Sequence, residues 1–277
     1  MISVKNLTYI YMKKTPFEKI ALKNVSLDIN DGEFLAIAGH TGSGKSTLIQ
    51  IIAGLIDVEK DIVTVDGESV KKKSVRRKIG IVFQYPEHQL FEETVEKDIS
   101  FGPRNFGLTE NEVAARVEDA MKLTELDLSL KTASPFELSG GQRRRVAIAG
   151  ILALKPKYLI LDEPTAGLDP KTRKNLLDEI KKLHKSGVTI ILVSHYMEDI
   201  ARLAERVVVL TGGEILFDGT PRKLFTQNEI LDRAGLELPA ATRIMQKLSR
   251  AGFNVNTEIL TIDAAELEIV VNRSLDR

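Results

Sequence analysis

Short, wholly apolar runs recur along this chain and predict strands that are buried on both faces. The runs are Phe34–Ala38, 158–161, 189–193 and 207–210. Segments with helical periodicity lie between them, over residues 46–55, 111–123 and 142–154. Strands covered on both faces and joined by helices are typical of a parallel sheet with crossover connections. The pattern therefore predicts an α/β fold with a mostly parallel core sheet.

The two ends of the chain follow other patterns. Apolar and polar residues alternate weakly over residues 2–9 and well over Ala21–Asn30, which predicts two antiparallel strands with one solvated face. After the turn-like residues 218–221 the composition changes, and residues 222–277 carry no chemical motif. We predict a small accessory domain there, with a helix after Pro239. Five further apolar residues predict strand structure: Leu260, Ile262, Leu267, Ile269 and Val270.

Composition narrows the class of protein. The chain has 277 residues, 43% of them hydrophobic, and a formal net charge of +0. It has no cysteine, which excludes disulfides and cysteine-ligated zinc. The N-terminal residues lack the pattern of a signal peptide, and no apolar run reaches the about 20 residues that span a bilayer. We expect a soluble chain that leaves any membrane crossing to other subunits.

A complete phosphate-binding loop follows the first apolar run. The sequence Gly39-His40-Thr41-Gly42-Ser43-Gly44-Lys45-Ser46 fits the pattern G-x-x-x-x-G-K-[ST] between a predicted strand and a predicted helix, the context that the motif requires. Backbone N–H groups of such a loop converge on phosphate oxygens, aided by the helix dipole. Lys45 is expected to reach the β- and γ-phosphates, and Ser46 to ligate Mg²⁺.

Two acids end the next buried run. Asp162 and Glu163 follow Tyr158-Leu159-Ile160-Leu161, and Pro164 stops the strand there. In open α/β sheets the ligand binds at the carboxyl edge of the strands, where these acids emerge. We expect Asp162 to position Mg²⁺ and Glu163 to orient or deprotonate the attacking water.

The pentapeptide Leu138–Gln142 precedes another predicted helix. Ser139 has the position of an N-cap and Gln142 the position of its partner in a capping box. Two glycines at a helix N-terminus form an anion site. Three arginines, 143–145, stand in the first turn, where the helix dipole disfavours cations, so something anionic is expected to offset them.

With these motifs in this order the chain resembles the ATP-binding cassette (ABC) family over about residues 1–219. The resemblance implies a P-loop ABC ATPase core with an antiparallel β subdomain, a helical subdomain at about residues 85–155, and two chains closing around ATP. Ser139, Gly140, Gly141 and Gln142 would then face the γ-phosphate held by the partner chain.

The same resemblance assigns further site residues. Gln84 matches the glutamine that senses Mg²⁺ and the γ-phosphate, which makes Ser46, Gln84 and Asp162 the expected metal-site residues. His195 matches the histidine that hydrogen-bonds the γ-phosphate. Asp169 lies in the loop that couples the two sites of a dimer, Thr47 completes the phosphate loop, and Tyr11, rather than Tyr9, is expected to stack on adenine.

The segment from Gln84 to Val95 narrows the resemblance to the ATPase subunits of energy-coupling factor (ECF) transporters, which import vitamins or, in related systems, cobalt or nickel. This implies a homodimer, or a heterodimer with a related ATPase, at the cytoplasmic face of the cell membrane, with a membrane coupling subunit and a substrate-binding membrane subunit. Leu90 and Phe91 are expected to seat a helix of the coupling subunit, unless both pack internally. Residues 220–277 would be an accessory domain, for dimerisation among other roles.

Three alternatives stay open. Another kind of ABC transporter would share the same motifs. A DNA-repair or chromosome ATPase would carry a long coiled coil between the phosphate loop and the pentapeptide, but residues 47–137 show no sustained heptads. A non-catalytic partner subunit would have a damaged site, whereas Glu163 and His195 are intact. The basic run 71–78 is expected to be a solvated face, and no nucleic-acid partner is expected.

Overall fold

Strands and helices alternate as the apolar pattern predicts. In a computed structural model, the backbone is described for residues 1–275 and side chains for residues 1–270. The strands are β1 (Ile2–Tyr11), β2 (Lys19–Ile29), β3 (Phe34–Ala38), β4 (Val63–Val65), β5 (Glu68–Ser69), β6 (Ile79–Val82), β7 (Tyr158–Asp162), β8 (Thr189–Val193), β9 (Arg206–Thr211) and β10 (Glu214–Gly219).

The helices lie mainly between the buried strands. They are α1 (Lys45–Ile52), α2 (Lys73–Arg76), α3 (Val95–Asn105), α4 (Glu110–Leu123), α5 (Gly140–Leu152), α6 (Pro170–Lys185), α7 (Met197–Leu203), α8 (Pro221–Phe225), α9 (Asn228–Ala234), α10 (Ala240–Arg250) and α11 (Ile262–Leu275). Short 3₁₀ helices span Pro86–Gln89, Leu128–Thr132 and Pro135–Glu137. Among the described residues, no helix is long and apolar enough to cross a membrane.

The chain forms two compact units, each made of several stretches of sequence. The first contains Met1–Ser3, Asp28–Gly32 and Ile49–Leu192. In its sheet β7 lies between β8 and β6, and β6 and β7 are parallel, with Val82 opposite Leu161. Helices α3, α4 and α5 pack on one another in the region predicted as a helical subdomain. The parallel pairing brings the loops that leave β6 and β7 to the same edge.

The second unit contains Val4–Leu27, Glu33–Leu48 and the described residues from Val193 onward. Here β9 lies between β3 and β10, parallel to β3 and antiparallel to β10. All five residues of β3 are buried, as its apolar sequence predicts. Residues of α8 and α9 pack against β9, so part of the segment after residue 219 shares a core with this sheet. The division of the chain at residue 219 stays a prediction.

The prediction of strand structure near the C-terminus is wrong. Residues 262–275 form helix α11, and Leu260 lies in the loop before it. Ala265 and Ile269, four residues apart, pack with Ala241 and Met245 of α10, which is the spacing of a helical face. Other apolar residues of this segment do not mark a buried face: Leu267 is 67% exposed and Val270 is 58% exposed. The helix predicted after Pro239 is confirmed as α10.

Candidate active site

The phosphate loop lies between β3 and α1 and approaches its own chain closely. Gly39 has a φ of +145° and Gly44 a φ of +109°, which side chains rarely adopt. A Cβ atom would stand 2.2 Å from the Leu210 carbonyl oxygen at Gly39, and 2.6 Å from the Ala21 carbonyl oxygen at Gly44. Glycine is therefore required at both positions by the backbone of this chain.

A buried cation lies inside the loop. Lys45 is only 7% exposed. Its Nζ donates hydrogen bonds to the carbonyl oxygens of Gly39 at 2.7 Å and His40 at 2.9 Å. Beside Gly39 the buried Ser43 hydroxyl oxygen has no hydrogen-bond partner among the described residues. A held ammonium, an unsatisfied hydroxyl and a helix N-terminus together fit an anion such as phosphate.

Tyr11 lines a cavity next to this loop. The cavity has a volume of about 150 Å³, and its other walls include Lys19, Ala21 and residues of the loop from Gly42 to Thr47. The Tyr11 hydroxyl lies 3.2 Å from the Thr47 hydroxyl, and the ring is held edge-on by Tyr9, with centroids 4.9 Å apart. Tyr11 is thus a presented ring, which favours it over Tyr9 for base stacking. The stacking itself stays a prediction.

His195 lies in the same unit as the loop, just after β8. Its ring packs on Tyr196, with centroids 4.2 Å apart. The preceding residue, Ser194, donates its N–H to the Ile37 carbonyl oxygen of β3, which fixes the backbone at the strand end. His195 is therefore set at the carboxyl end of a buried strand, as the sequence predicts.

In the other unit, Gln84 and Glu163 meet. The Gln84 Nε2 donates a hydrogen bond to the Glu163 Oε2 at 3.2 Å. The two residues follow β6 and β7, whose parallel register carries both loops to one edge. Glu163 has a φ of +47°, a left-handed conformation that costs a non-glycine residue about 1 kcal/mol or more. Such strain is concentrated at functional positions.

The pentapeptide before α5 forms the predicted capping box. Ser139 is the N-cap and accepts a hydrogen bond from the Gln142 N–H, while the Gln142 Oε1 accepts from the Ser139 N–H at 3.0 Å. Outside their own turn, a Cβ atom at Gly140 would meet no atom of the described residues within 4 Å, and one at Gly141 would meet only a methyl carbon of Thr172, at 3.9 Å. Neither glycine is required by the fold of this chain.

Two of the arginines in α5 are offset by acidic side chains of this chain, in line with the expectation that something anionic offsets them. Arg144 pairs with Glu87 at 3.1 Å, and Arg145 pairs with Glu179 at 3.0 Å. Burial raises the pKa of the Glu179 carboxyl to about 7. These partners lie far away in sequence, so local spacing could not reveal them. Arg144 and Glu87 are the residues of this region that the sequence analysis missed.

Asp169, another predicted site residue, is the N-cap of α6. Its Oδ1 accepts hydrogen bonds from the backbone N–H groups of Lys171 at 3.0 Å and Thr172 at 3.1 Å. Hydrogen bonds from Thr172 lower the pKa of its carboxyl. The residue is therefore ionised near neutral pH and fixes the loop that precedes α6.

A metal site cannot be recognised from acids and histidines alone. Within the described residues no group of three or more His, Cys, Asp or Glu side chains could hold a metal ion. The predicted Mg²⁺ residues are a hydroxyl (Ser46), an amide (Gln84) and one carboxylate (Asp162). Oxygen donors of this kind suit Mg²⁺, which keeps waters and phosphate oxygens as its other ligands. The assignment stays a prediction.

Leu90 and Phe91 differ in exposure, and their expected role in seating a helix stays a prediction. Leu90 is buried, at 7% exposure, so it packs internally. Phe91 is 58% exposed and meets Phe101 edge-on, with centroids 4.9 Å apart. Tyr85 is also exposed. The surface after Gln84 is therefore aromatic, with Phe91 rather than Leu90 presented to solvent.

Known proteins are similar to this chain over nearly its full length. Residues 22–166 match the ABC transporter family. The chain is 53% identical to the energy-coupling factor transporter ATP-binding protein EcfA2 of Clostridium perfringens, over 99% of each chain. It is 54% identical to the EcfA2 protein of Clostridium acetobutylicum, over 97% of this chain and 96% of that one. The chain belongs to the family of ECF transporter ATP-binding proteins.

Solved structures agree with this membership. CbiO1 of Clostridium perfringens, described as part of the ABC transporter complex CbiONQ, has a TM-score of 0.75 and 36% identity, over 91% of this chain and 96% of that one. The ATP-binding cassette MJ0796, solved as a dimer bound to ADP and Pi after hydrolysis, has a TM-score of 0.69 and 35% identity, over 80% of this chain and 99% of that one. The fold is that of an ABC ATPase. As a member of the ECF family the chain binds and hydrolyses ATP in the service of transport.

Proposed function

We propose that this chain works as half of an ATPase dimer on the cytoplasmic face of the membrane and drives an ECF importer for vitamins or transition-metal ions. The near-complete alignment with EcfA2 proteins is the observation that carries the proposal. The phosphate loop binds ATP through its backbone N–H groups and Lys45. Tyr11 stacks on adenine beside the loop.

Residues at the ends of buried strands catalyse hydrolysis. Glu163 accepts the proton of the attacking water, with its carboxylate held by the hydrogen bond from Gln84. His195 donates a hydrogen bond to the γ-phosphate as charge develops there. Ser46, Gln84 and Asp162 would hold Mg²⁺, which would neutralise charge on the phosphates. Gln84 would then serve both the metal ion and Glu163, to which its amide donates a hydrogen bond.

The second chain of the dimer completes each site. Gly140 and Gly141 stand at a helix N-terminus, where no described residue of their own chain requires glycine. Glycine weakens a helix by up to about 1 kcal/mol relative to alanine, so its presence favours close approach by another molecule. We assign that approach to the γ-phosphate carried by the partner's phosphate loop. Ser139 and Asp169 belong to the same face of the dimer contact.

Membrane partners dock near the aromatic surface after Gln84. Tyr85, Phe91 and Phe101 are exposed there, a composition that suits the apolar face of an amphipathic helix. That helix belongs to a membrane coupling subunit, and a separate membrane subunit binds the transported substrate. The partner ATPase is a second copy of this chain or a relative.

Purification of a Glu163→Gln variant from detergent-solubilised membranes, with ATP and Mg²⁺, tests the proposal. The change preserves size and removes the carboxylate, so ATP stays bound while turnover falls at least about 10²-fold, the scale of a lost general base. Membrane subunits should copurify with the variant and with the wild-type chain. Glu229→Gln, at an exposed position on α9, is the control and should hydrolyse ATP at the wild-type rate.

Two results would contradict the proposal separately. Near-normal turnover by Glu163→Gln would contradict the role of Glu163 as general base. Purification of an active wild-type ATPase without any membrane protein would contradict the role in an importer but not the proposed mechanism of hydrolysis.

A further inference from the structure

Arg144 is a buried arginine that touches two loops at once. It lies on α5, five residues after the N-cap Ser139, and is 3% exposed. Its Nε and Nη2 donate to the two carboxylate oxygens of Glu87 at 3.1 and 3.4 Å, and its Nη1 donates to the Ala166 carbonyl oxygen at 3.1 Å. The planar guanidinium has the fork geometry for a bidentate contact plus a third bond.

The two loops are those that carry the proposed hydrolytic residues. Glu87 lies in the 3₁₀ turn Pro86–Gln89, which begins two residues after Gln84. Ala166 lies three residues after Glu163 and hydrogen-bonds back to it, its N–H donating to the Glu163 carbonyl oxygen. Arg144 therefore contacts each loop three residues after Gln84 and after Glu163, through the Glu87 carboxylate in one loop and the Ala166 carbonyl oxygen in the other.

The loops also touch each other. A Cβ built at Gly167 would stand 3.5 Å from a ring carbon of Tyr85, so these residues are close neighbours. Tyr85 and Gly167 both have positive φ angles, of +53° and +73°, which mark sharp turns in each loop. Arg144 contacts both of these sharply turning loops through Glu87 and Ala166.

The next residue on the helix, Arg145, is an arginine that connects helices. Arg145 pairs with Glu179 of α6 at 3.0 Å and lies 3.9 Å from Glu125. It therefore joins helix to helix and touches neither loop in the contacts of the described residues. Two adjacent arginines with acidic partners thus form a matched pair, and of the two only Arg144 contacts the loops in the described residues.

We infer that Arg144 is a positioning residue for hydrolysis, which fixes the loops of Gln84 and Glu163 to the helix that carries Ser139. It contacts neither ATP nor water itself. The inference rests on the proposed function of Gln84 and Glu163. Its consequence is selective: loss of Arg144 should misplace the groups that act on water, while the phosphate loop that binds ATP keeps its own supports.

Steady-state ATP turnover and equilibrium ATP binding of purified variants test this separation. Arg144→Gln should lower kcat at least about tenfold, because small misplacements of catalytic groups cost up to about 10²-fold. Its Kd for ATP should stay within about twofold of wild type, since uniform binding is untouched. Arg144→Lys should recover part of the rate, because an ammonium can serve Glu87 or Ala166 but not both in fork geometry. Arg145→Gln is the control and should keep the wild-type kcat at a temperature below its Tm.

Glu87→Gln provides a second route if Arg144→Gln fails to fold. It preserves size and the Ala166 contact, and it should lower kcat in the same direction by a smaller factor. If the pair acts as a unit, the double variant with Arg144→Gln is no slower than Arg144→Gln alone. A normal kcat in folded Arg144→Gln or in Glu87→Gln, an equal loss in Arg145→Gln, or a loss confined to the Kd for ATP would overturn the inference.

An inactive Glu163→Gln sample measured in the same series keeps the two claims distinct. If Glu163→Gln turned over ATP normally, the general-base proposal would fail, whatever Arg144→Gln did. If Glu163→Gln is inactive and Arg144→Gln is fully active, only the positioning inference fails.

Discussion

Two glycine-rich helix N-termini in this chain look alike in sequence and differ in what requires their glycines. At the phosphate loop a Cβ would stand 2.2 Å from backbone at Gly39 and 2.6 Å at Gly44, and both residues have positive φ angles. At the pentapeptide before α5, a Cβ at Gly140 would meet nothing within 4 Å. The first set of glycines is required by the chain's own fold, whereas the second leaves space that the chain does not fill.

The difference extends to the polar groups. Lys45 is buried and held by two carbonyl oxygens, while Ser139 and Gln142 satisfy each other and face outward. A site that is complete within the chain binds its ligand without help. A capped, open helix terminus with spare space is a surface for something brought by another molecule. This contrast is the physical basis for assigning one terminus to the chain's own ATP and the other to its partner's.

The largest expected effect follows from removing the buried cation. Lys45→Ala should weaken ATP binding at least about 100-fold, because charge-assisted hydrogen bonds to phosphate contribute about 1.5–3 kcal/mol each. Nucleotide titration of the purified variant measures it, with Lys60→Ala at an exposed position as the control. Wild-type affinity in Lys45→Ala would show that the loop does not bind the phosphates.

A change at the other terminus should separate binding from turnover. Ser139→Arg fills the space beside Gly140, so ATP binding to the single chain should stay within about twofold while turnover falls at least about tenfold. In a homodimer, mixing this variant with Lys45→Ala should restore part of the turnover, because one composite site then has an intact loop and an intact pentapeptide. Loss of ATP binding by Ser139→Arg alone would place the pentapeptide in its own chain's site.

Ser139→Ala separates the added bulk from the lost N-cap in that experiment. Removing the cap costs about 1 kcal/mol of stability but leaves the space open. Turnover by Ser139→Ala should therefore exceed turnover by Ser139→Arg.

The smallest effect concerns the glycines themselves. Gly44→Ala should lower the free energy of unfolding, since its Cβ meets the Ala21 carbonyl oxygen and its φ is strained. Gly140→Ala should raise that free energy by up to about 1 kcal/mol, because alanine favours a helix, yet should still slow turnover. Urea titration and ATPase rates of both variants measure this. Equal destabilisation by the two changes would erase the contrast.

Local motifs carried most of what the sequence could predict. The phosphate loop, the capping box and the strand before Asp162 each depend on neighbouring residues, so their pattern is complete within a few positions. The partners of Arg144 and Arg145 lie 57 and 34 residues away, and only the fold reveals them. The sequence predicts that something anionic offsets these arginines, and the fold identifies the carboxylates of Glu87 and Glu179.

Predictions from apolar residues failed where those residues are exposed. Leu267 and Val270 are among the apolar residues that predict strand structure near the C-terminus, yet both lie on helix α11 and are exposed. Leu90 and Phe91 were treated as one surface, although they point to opposite environments. Burial depends on the neighbours that packing supplies, and a single sequence does not contain them.

The left-handed backbone of Glu163 has a consequence for any attempt to make this protein more heat-resistant. Glycine or asparagine would relieve the strain at this turn, so a screen for melting temperature alone would favour them. Each would also remove the carboxylate that the proposed chemistry requires. The protein would become more stable and would stop hydrolysing ATP. A screen for stability at this position must therefore also select for ATPase activity.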